Sequence, residues 1–256
     1  MLGGRSVAFV VREALERDNY ASLARVFKTC KHPIDFVWRY LAGAGRYPAR
    51  TALRTPLGVV APTSYTHHDI WTVSEVFCRL DYRLPDNART VVDIGSNIGI
   101  SALFFLTRSR DVRCFLFEPD PRNAARLEAN LEGYEDRYSL ARDAVADFSG
   151  PTQFGREPTG RYGGIGLELA DVIDVSCRHI NDVLTEVIAA EGQIDMLKID
   201  TEGMEHRTVA AIDHDILDRV RVICYEASSP TNPAPELFDM SFAVSTVRLT
   251  NRRVWE

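Results

Sequence analysis

The stretch Val91-Val92-Asp93-Ile94-Gly95-Ser96-Asn97-Ile98-Gly99 constrains this chain more than any other. An apolar run, Thr90 to Ile94, carries an acid near its end. Two glycines follow with Asn97 between them, and then an apolar helical pattern, Ile100 to Leu106. This order reads as strand, tight turn, helix. The glycines allow positive φ and a close approach of a ligand to the backbone. The helix start offers N–H groups to a carboxylate or phosphate.

From residue 90 onward, apolar strand-like runs alternate with helical patterns. The runs are 90–94, 113–118, 138–142, 194–200 and 219–226; the helices are 98–108, 121–131, 180–190 and 204–212. Such alternation predicts a mostly parallel sheet covered on both faces. The stretch 148–175 interrupts it with Gly150, Gly155, Gly160 and Gly163-Gly164, and reads as a long loop with a short hairpin. Residues 242–255 read as a terminal antiparallel hairpin turning at Thr250-Asn251. Before residue 63 the chain reads as a helical cap. Val7, Val10, Val11, Ala14 and Leu15 form one stripe, Tyr20 to Thr29 a second helix, and Pro33 opens a third that buries Phe36, Val37, Tyr40 and Leu41. A small hairpin around Thr55-Pro56 follows, and then a helix over 70–84. The expected division is a cap over residues 1–62 and a sheet domain over 63–256.

Composition excludes several classes. The chain has 256 residues and a formal net charge of -6. That balance leaves no footprint for sequence-independent nucleic-acid binding, so no nucleic-acid partner is expected. Cys30, Cys78, Cys114, Cys177 and Cys224 lack CxxC spacing, which argues for a reducing compartment. The N-terminal apolar run is too broken by Arg12, Glu13, Glu16 and Arg17 for a secretory leader. No run approaches the roughly 18 apolar residues of a membrane span. The expectation is a cytoplasmic protein with no membrane partner; homo-oligomerisation is left open.

A doubly wound sheet binds ligands beyond the carboxyl ends of its strands. Acids fall at or just after each of those ends: Asp93, Glu118, Asp143, Asp200 and Glu226. Glu118, at the end of the second strand, suits a ribose diol. Asn97 stands where a dinucleotide-binding turn has its central glycine, and no P-loop lysine follows. The turn therefore suits a nucleoside without a diphosphate, such as one bearing an amino acid. In that case Asp93 faces the cationic end and the turn amides face the carboxylate.

With Phe117-Glu118-Pro119 and Leu197-Lys198-Ile199-Asp200-Thr201-Glu202-Gly203-Met204-Glu205, the turn resembles the FkbM-type S-adenosylmethionine-dependent methyltransferases. The likeness covers roughly residues 65 to 226. It implies a seven-stranded Rossmann-like class I methyltransferase sheet, S-adenosylmethionine as donor, and O-methylation of a saccharide or secondary-metabolite hydroxyl. Carried over, Asp93, Gly95, Ser96, Asn97 and Gly99 surround the methionine end, and Glu118 with Pro119 the ribose. Asp143 and Ala144 border the adenine, while Asp200 and Glu202 stand where donor meets acceptor. Met204 departs from the alanine common in the family.

A hydroxyl acceptor must lose a proton. A general base can take it, with Asp200, Glu202, His67 and His68 as candidates. Alternatively Mg²⁺ held by Asp200 and Glu226 can lower the hydroxyl pKa. Two other readings stay open: N-methylation of another acceptor, and a nucleotide-binding module without catalysis.

Overall fold

The computed structural model describes residues 17–43, 45–157, 159–160 and 162–253. The stripe from Val7 to Leu15 lies outside them. The chain divides into two compact units, one through Arg83 with Thr107–Arg110 and one from Leu84 to Leu106 and Asp111 onward. The boundary thus falls about twenty residues beyond the expected one, and the helix after residue 66 belongs to the N-terminal unit.

The N-terminal unit opens with helices α1 (Arg17–Thr29) and α2 (Pro33–Ala42). Pro33 sits where a missing N–H costs nothing, and Gly43, at φ 59°, ends the helix by donating its N–H to the Arg39 carbonyl. Phe36 is buried as expected, but Leu41 is exposed. Strands β1 (Ala49–Arg50) and β4 (Thr63–Ser64) pair, and β2 (Leu53–Thr55) and β3 (Gly58–Val60) form the expected hairpin. Helix α3 (His67–Val73) starts where Asp69 accepts the backbone N–H groups of Tyr65 and Thr66. It continues as a π-helical turn, Ser74–Arg79, and stops at Leu80, which lies in the left-handed region.

The C-terminal unit is built on one seven-stranded sheet. Its strands are β5 (Thr90–Ile94), β6 (Arg113–Phe117), β7 (Tyr138–Ala141), β12 (Met196–Ile199), β13 (Val222–Glu226), β14 (Phe238–Ala243) and β15 (Thr246–Asn251), in the spatial order β14-β15-β13-β12-β5-β6-β7. The run from β13 to β7 is parallel; β15 is antiparallel to β13, and β14 to β15. Sequence order runs outward from β5 through β6 to β7, and the chain then returns to place β12 on the other flank of β5. The switch point lies between β5 and β12, where a crevice opens beyond the strand ends. Helices α4 (Ile100–Leu106), α5 (Pro121–Asn130), α6 (Ile180–Glu191), α7 (Glu205–Ala210) and α8 (His214–Leu217) connect the strands. Helix α4 is buried along its whole length, which suits its Ile-Ser-Ala-Leu-Phe-Phe-Leu sequence. Cys114 and Cys224 are buried in β6 and β13 as small core residues.

Two expectations are corrected. The stretch 148–175 is no long loop: β8 (Ala144–Ala146), β9 (Gly150–Arg156), β10 (Gly163–Ile165) and β11 (Asp171–His179) form a second sheet, ordered β10-β9-β11-β8. Its glycines mask a regular ladder, Asp171 to Cys177 against Arg156 to Gly150. The terminal hairpin turns at Val244-Ser245, not at Thr250-Asn251. Asn251 is instead a buried anchor whose amide donates to the carbonyls of Leu217 at 3.3 Å and Val220 at 3.0 Å. A turn residue tolerates truncation; this one should not. Asn251→Ala is expected to cost about 1–2 kcal/mol by removing the amide donor of the Val220 carbonyl, since the Leu217 carbonyl still accepts Val220 N–H at 3.1 Å, read from urea unfolding of the full chain.

Candidate functional site

Three strand ends of the C-terminal unit form the site. At the end of β5 the chain turns sharply: Gly95, Asn97 and Gly99 have φ of 76°, 47° and 82°. A β-carbon on Gly95 would overlap the Asp200 carbonyl oxygen, so only glycine lets the β5 and β12 ends lie this close. The turn is braced from within. Gly95 and Ser96 donate their N–H groups to the Phe117 carbonyl, and Ser96 Oγ donates to the Asp93 carbonyl at 2.7 Å.

Asp93 does not face outward as expected. It is fully buried, and both carboxylate oxygens are used inside the protein. Ser101 Oγ donates to Oδ2 at 2.5 Å and Lys198 Nζ to Oδ1 at 3.0 Å. Lys198 Nζ also reaches the Gly95 carbonyl at 3.0 Å and Asp200 Oδ2 at 3.3 Å. Burial alone would pull the Lys198 pKa down, but Asp93 and Asp200 more than offset it, and the ammonium is held well above the usual lysine range. One buried cation thus pins the glycine turn, the β5 acid and the β12 acid. Lys198 has no role in the expected site, although it stands inside the motif. The available signal was a lysine inside the apolar strand Met-Leu-Lys-Ile, since a buried lysine must be paired.

Glu118, at the end of β6, is buried. Its carboxylate accepts the N–H groups of Asn97 at 2.8 Å and Asp120 at 2.9 Å. Burial pushes its pKa up to about 7 even though these two donors favour the ionised form. Pro119 is buried beside it, and Asp120 caps α5 by accepting from Arg122 N at 2.9 Å. The β7 end adjoins, with Glu118 N donating to the Ala141 carbonyl at 3.1 Å. Asp143 and Ala144 follow at the corner where the chain leaves β7 for β8.

Beyond β12 runs Asp200-Thr201-Glu202-Gly203. Glu202 adopts φ 55°, a conformation costly for a residue with a side chain, and Gly203 follows at φ 114°. Glu205 secures this turn: its two oxygens accept Thr201 N and Gly203 N, each at 2.8 Å. The last acid of the motif is therefore a brace. Among the described residues Thr201 Oγ1, on the same turn, is buried without a hydrogen-bond partner. The second sheet packs here too, because a β-carbon on Gly164 would stand 2.9 Å from the Glu202 carbonyl. Its β9–β10 tip is gripped by α5, with Arg122 donating to the Glu157 carbonyl, Asn123 to Gly160 and Arg126 to Thr159, at 3.4, 2.9 and 3.2 Å.

Several other expected residues lie elsewhere. Glu226 ends β13 alongside Asp200, yet among the described residues no three His, Cys, Asp or Glu side chains group as a metal site. Asp200 Oδ2 lies 3.3 Å from Lys198 Nζ, a cation already on one face of the expected Asp200–Glu226 pair. His67 and His68 belong to the N-terminal unit, with ring centroids 3.6 Å apart and both edge-on to Trp71. They are not among the residues that the C-terminal unit brings together.

The class defined by this sheet order, with its crevice at the switch point, is the Rossmann-like α/β fold. Residues 93–243, more than half of the chain, match the methyltransferase FkbM domain model. The chain belongs to the FkbM methyltransferase family. It is 30% identical over 156 residues to the 2-O-methyltransferase NoeI of Sinorhizobium fredii, covering 54% of this chain and 63% of NoeI. It is 28% identical over 166 residues to the 31-O-demethyl-FK506 methyltransferase FkbM of Streptomyces tacrolimicus, covering 53% and 64%. The AMB antimetabolite synthetase AmbE of Pseudomonas aeruginosa is 29% identical over 203 residues, covering 64% of this chain but only 9% of the synthetase. Among solved structures, methyltransferase FkbM from Methylobacillus flagellatus aligns with TM-score 0.43 at 12% identity, covering 72% of this chain and 54% of that one.

Two outcomes follow from the geometry. Lys198→Met leaves Asp93 buried without a counter-charge and should cost about 3–5 kcal/mol in denaturant unfolding, with the Asp93→Asn/Lys198→Met double variant costing less than the sum of the single changes. Glu118 holds in the folded state a proton that the unfolded chain releases near pH 4.3, so its contribution to stability is lost as pH rises toward about 7. Relative to the parent, Glu118→Gln should therefore gain roughly 3 kcal/mol between pH 4 and pH 8, read from unfolding curves at both pH values.

Proposed function

We propose that this methyltransferase uses S-adenosylmethionine to methylate a hydroxyl of a saccharide or secondary-metabolite small molecule. The observation that carries the reading is the pairing of the Gly95–Gly99 turn with the buried Glu118 carboxylate, which accepts the Asn97 N–H at 2.8 Å. A turn without a central glycine suits a nucleoside that carries no diphosphate. The unpartnered Thr201 Oγ1 fits a polar group entering beside Asp200. In this reading Glu118 receives the ribose hydroxyls, Asp143 and Ala144 border the base, and the turn receives the methionine end. The names of NoeI and FkbM, both O-methyltransferases, support methyl transfer to a hydroxyl oxygen.

S-Adenosylmethionine, when bound, supplies a methyl group on a sulfonium. The chain's own work is to align an acceptor, exclude water and receive a proton. Asp200, oriented by Lys198, accepts a hydrogen bond from the acceptor hydroxyl and takes its proton as the oxygen bonds the methyl carbon and the methyl–sulfur bond breaks, leaving a neutral thioether. Glu202, on its strained backbone, stands on the same turn and helps to orient that hydroxyl. Asp93 acts at one remove, through Lys198.

Calorimetry and transfer of a labelled methyl group to a panel of saccharides and hydroxylated metabolites test the reading. S-Adenosylmethionine is expected to bind, and Glu118→Gln to weaken it at least about tenfold. Only ionised Glu118 accepts both ribose hydroxyls, so affinity should rise roughly tenfold from pH 6 to pH 8. Asp200→Asn should lower kcat about 100-fold while the donor still binds. Tight NAD binding with no S-adenosylmethionine binding would overturn the proposal.

A further inference from the structure

The N-terminal unit carries a surface that this reading does not use. Helix α2 is apolar on two faces. Phe36 is buried, while Ile34, Trp38 and Leu41 form a second stripe at i, i+4 and i+7 and are 78%, 63% and 37% exposed. On α1, Leu23 and Phe27 lie one turn apart and are 46% and 54% exposed. The β2–β3 hairpin adds Leu57 and Val59, also exposed. Scattered apolar residues on a surface need no explanation, but this many large ones within 37 residues do.

Charge supplies a second observation. Residues 22–60 hold seven basic residues (Arg25, Lys28, Lys31, Arg39, Arg46, Arg50 and Arg54) against one acid, Asp35. That segment is +6 in a chain whose total is -6. Its one acid is spent on Arg39 at 2.8 Å. Lys28, Lys31, Arg46, Arg50 and Arg54 are all exposed. The chain's net charge hides this segregation.

The two observations together select a partner. A nucleic acid would use the charge and leave Ile34, Leu23 and Phe27 in water. A protein site gathers its apolar anchors into one packed centre with a polar rim. Here the apolar tips are spread over two helices and a hairpin, with basic side chains interspersed and a tryptophan among them. Apolar and aromatic tips beside Lys and Arg are what a helix lying in a lipid headgroup layer presents. Among the described residues no helix is long and apolar enough to cross a membrane, so attachment of this region would be peripheral.

We propose that residues 22–60 form a peripheral docking surface for an anionic lipid bilayer. The Ile34–Trp38–Leu41 stripe enters the boundary between headgroups and acyl chains, and the basic residues meet the anionic headgroups. This reverses the expectation of no membrane partner: the polar side of the N-terminal helices, which reads as mixed in sign over residues 6–45, is +6 over residues 22–60.

The test is co-sedimentation of the full-length protein with phosphatidylcholine vesicles, plain or containing about one third phosphatidylglycerol. Binding is expected only to the mixed vesicles and should weaken with added salt. Tryptophan emission should shift to the blue on binding, and Trp38→Phe should remove the shift. Lys28→Glu/Lys31→Glu and Ile34→Ser/Leu41→Ser should each bind at least about tenfold more weakly, with thermal unfolding showing which variants are folded. The two double variants alter different features, so loss of one to misfolding leaves the other informative. The proposal is overturned by absence of binding to mixed vesicles at low salt, which would leave the surface to a protein partner. It is equally overturned if folded variants bind as the parent does, or if the parent forms a lipid-free dimer that the stripe variant dissociates.

Discussion

The C-terminal unit depends on one buried ion pair. Asp93 and Lys198 come from adjacent strands, β5 and β12, and neither reaches water. Leaving either charge alone in that interior would cost several kcal/mol, so the pair, with Ser101, the Gly95 carbonyl and Asp200 completing its hydrogen bonds, forms as a set or not at all. Its position at the switch point matters. The pair closes the bottom of the crevice and fixes how far apart the β5 turn and the Asp200 turn can stand. The glycine at position 95 follows from the same closeness, since no side chain fits against the Asp200 backbone. The motif thus consists of acids with different duties. Asp93 and Glu205 hold backbone and cation in place, while Asp200 and Glu202 border the crevice.

Much of this unit was legible in the sequence, for identifiable reasons. Strand β5 and its turn were readable because apolar run, acid and glycines succeed one another without interruption. That β5, β6, β7, β12 and β13 run parallel followed from period, because most of these strands are followed by a helical pattern, but their spatial order did not. Glu118 was found from its distance to the turn. What escaped were features carried by tertiary pairing. The second sheet hid behind its glycines, which look like loop residues until β9 and β11 are laid side by side. Asn251 looked like a turn residue because Thr-Asn is turn-like, yet its amide is used to tie β15 to the end of α8. The direction of Asp93 could not be read from position, since a strand-end acid can point to solvent or to a buried lysine. Leu41 was placed on the buried side of α2 by periodicity, but a helix apolar on two faces does not declare which one is inside.

The N-terminal unit shows a limit of whole-chain averages. A net charge of -6 does not describe residues 22–60, which carry +6 and hold seven of the twelve exposed large apolar side chains among the described residues. Association with a surface is governed by the local field over about a Debye length, roughly 8–10 Å, and a protein with segregated charge presents opposite signs to partners that approach different parts of it.

The grip of α5 on the β9–β10 tip is made on carbonyl oxygens, those of Glu157, Thr159 and Gly160. Carbonyls are common to every residue. These three contacts are therefore independent of the side chains at positions 157 and 159, although Thr159 Oγ1 also donates to Glu157 Oε2 at 3.0 Å. Gly160 is the exception, because its φ of 80° and the nearness of Asn123 Oδ1 exclude a side chain. A change of side chain at 157 or 159 thus leaves in place the carbonyl contacts by which α5 holds this edge.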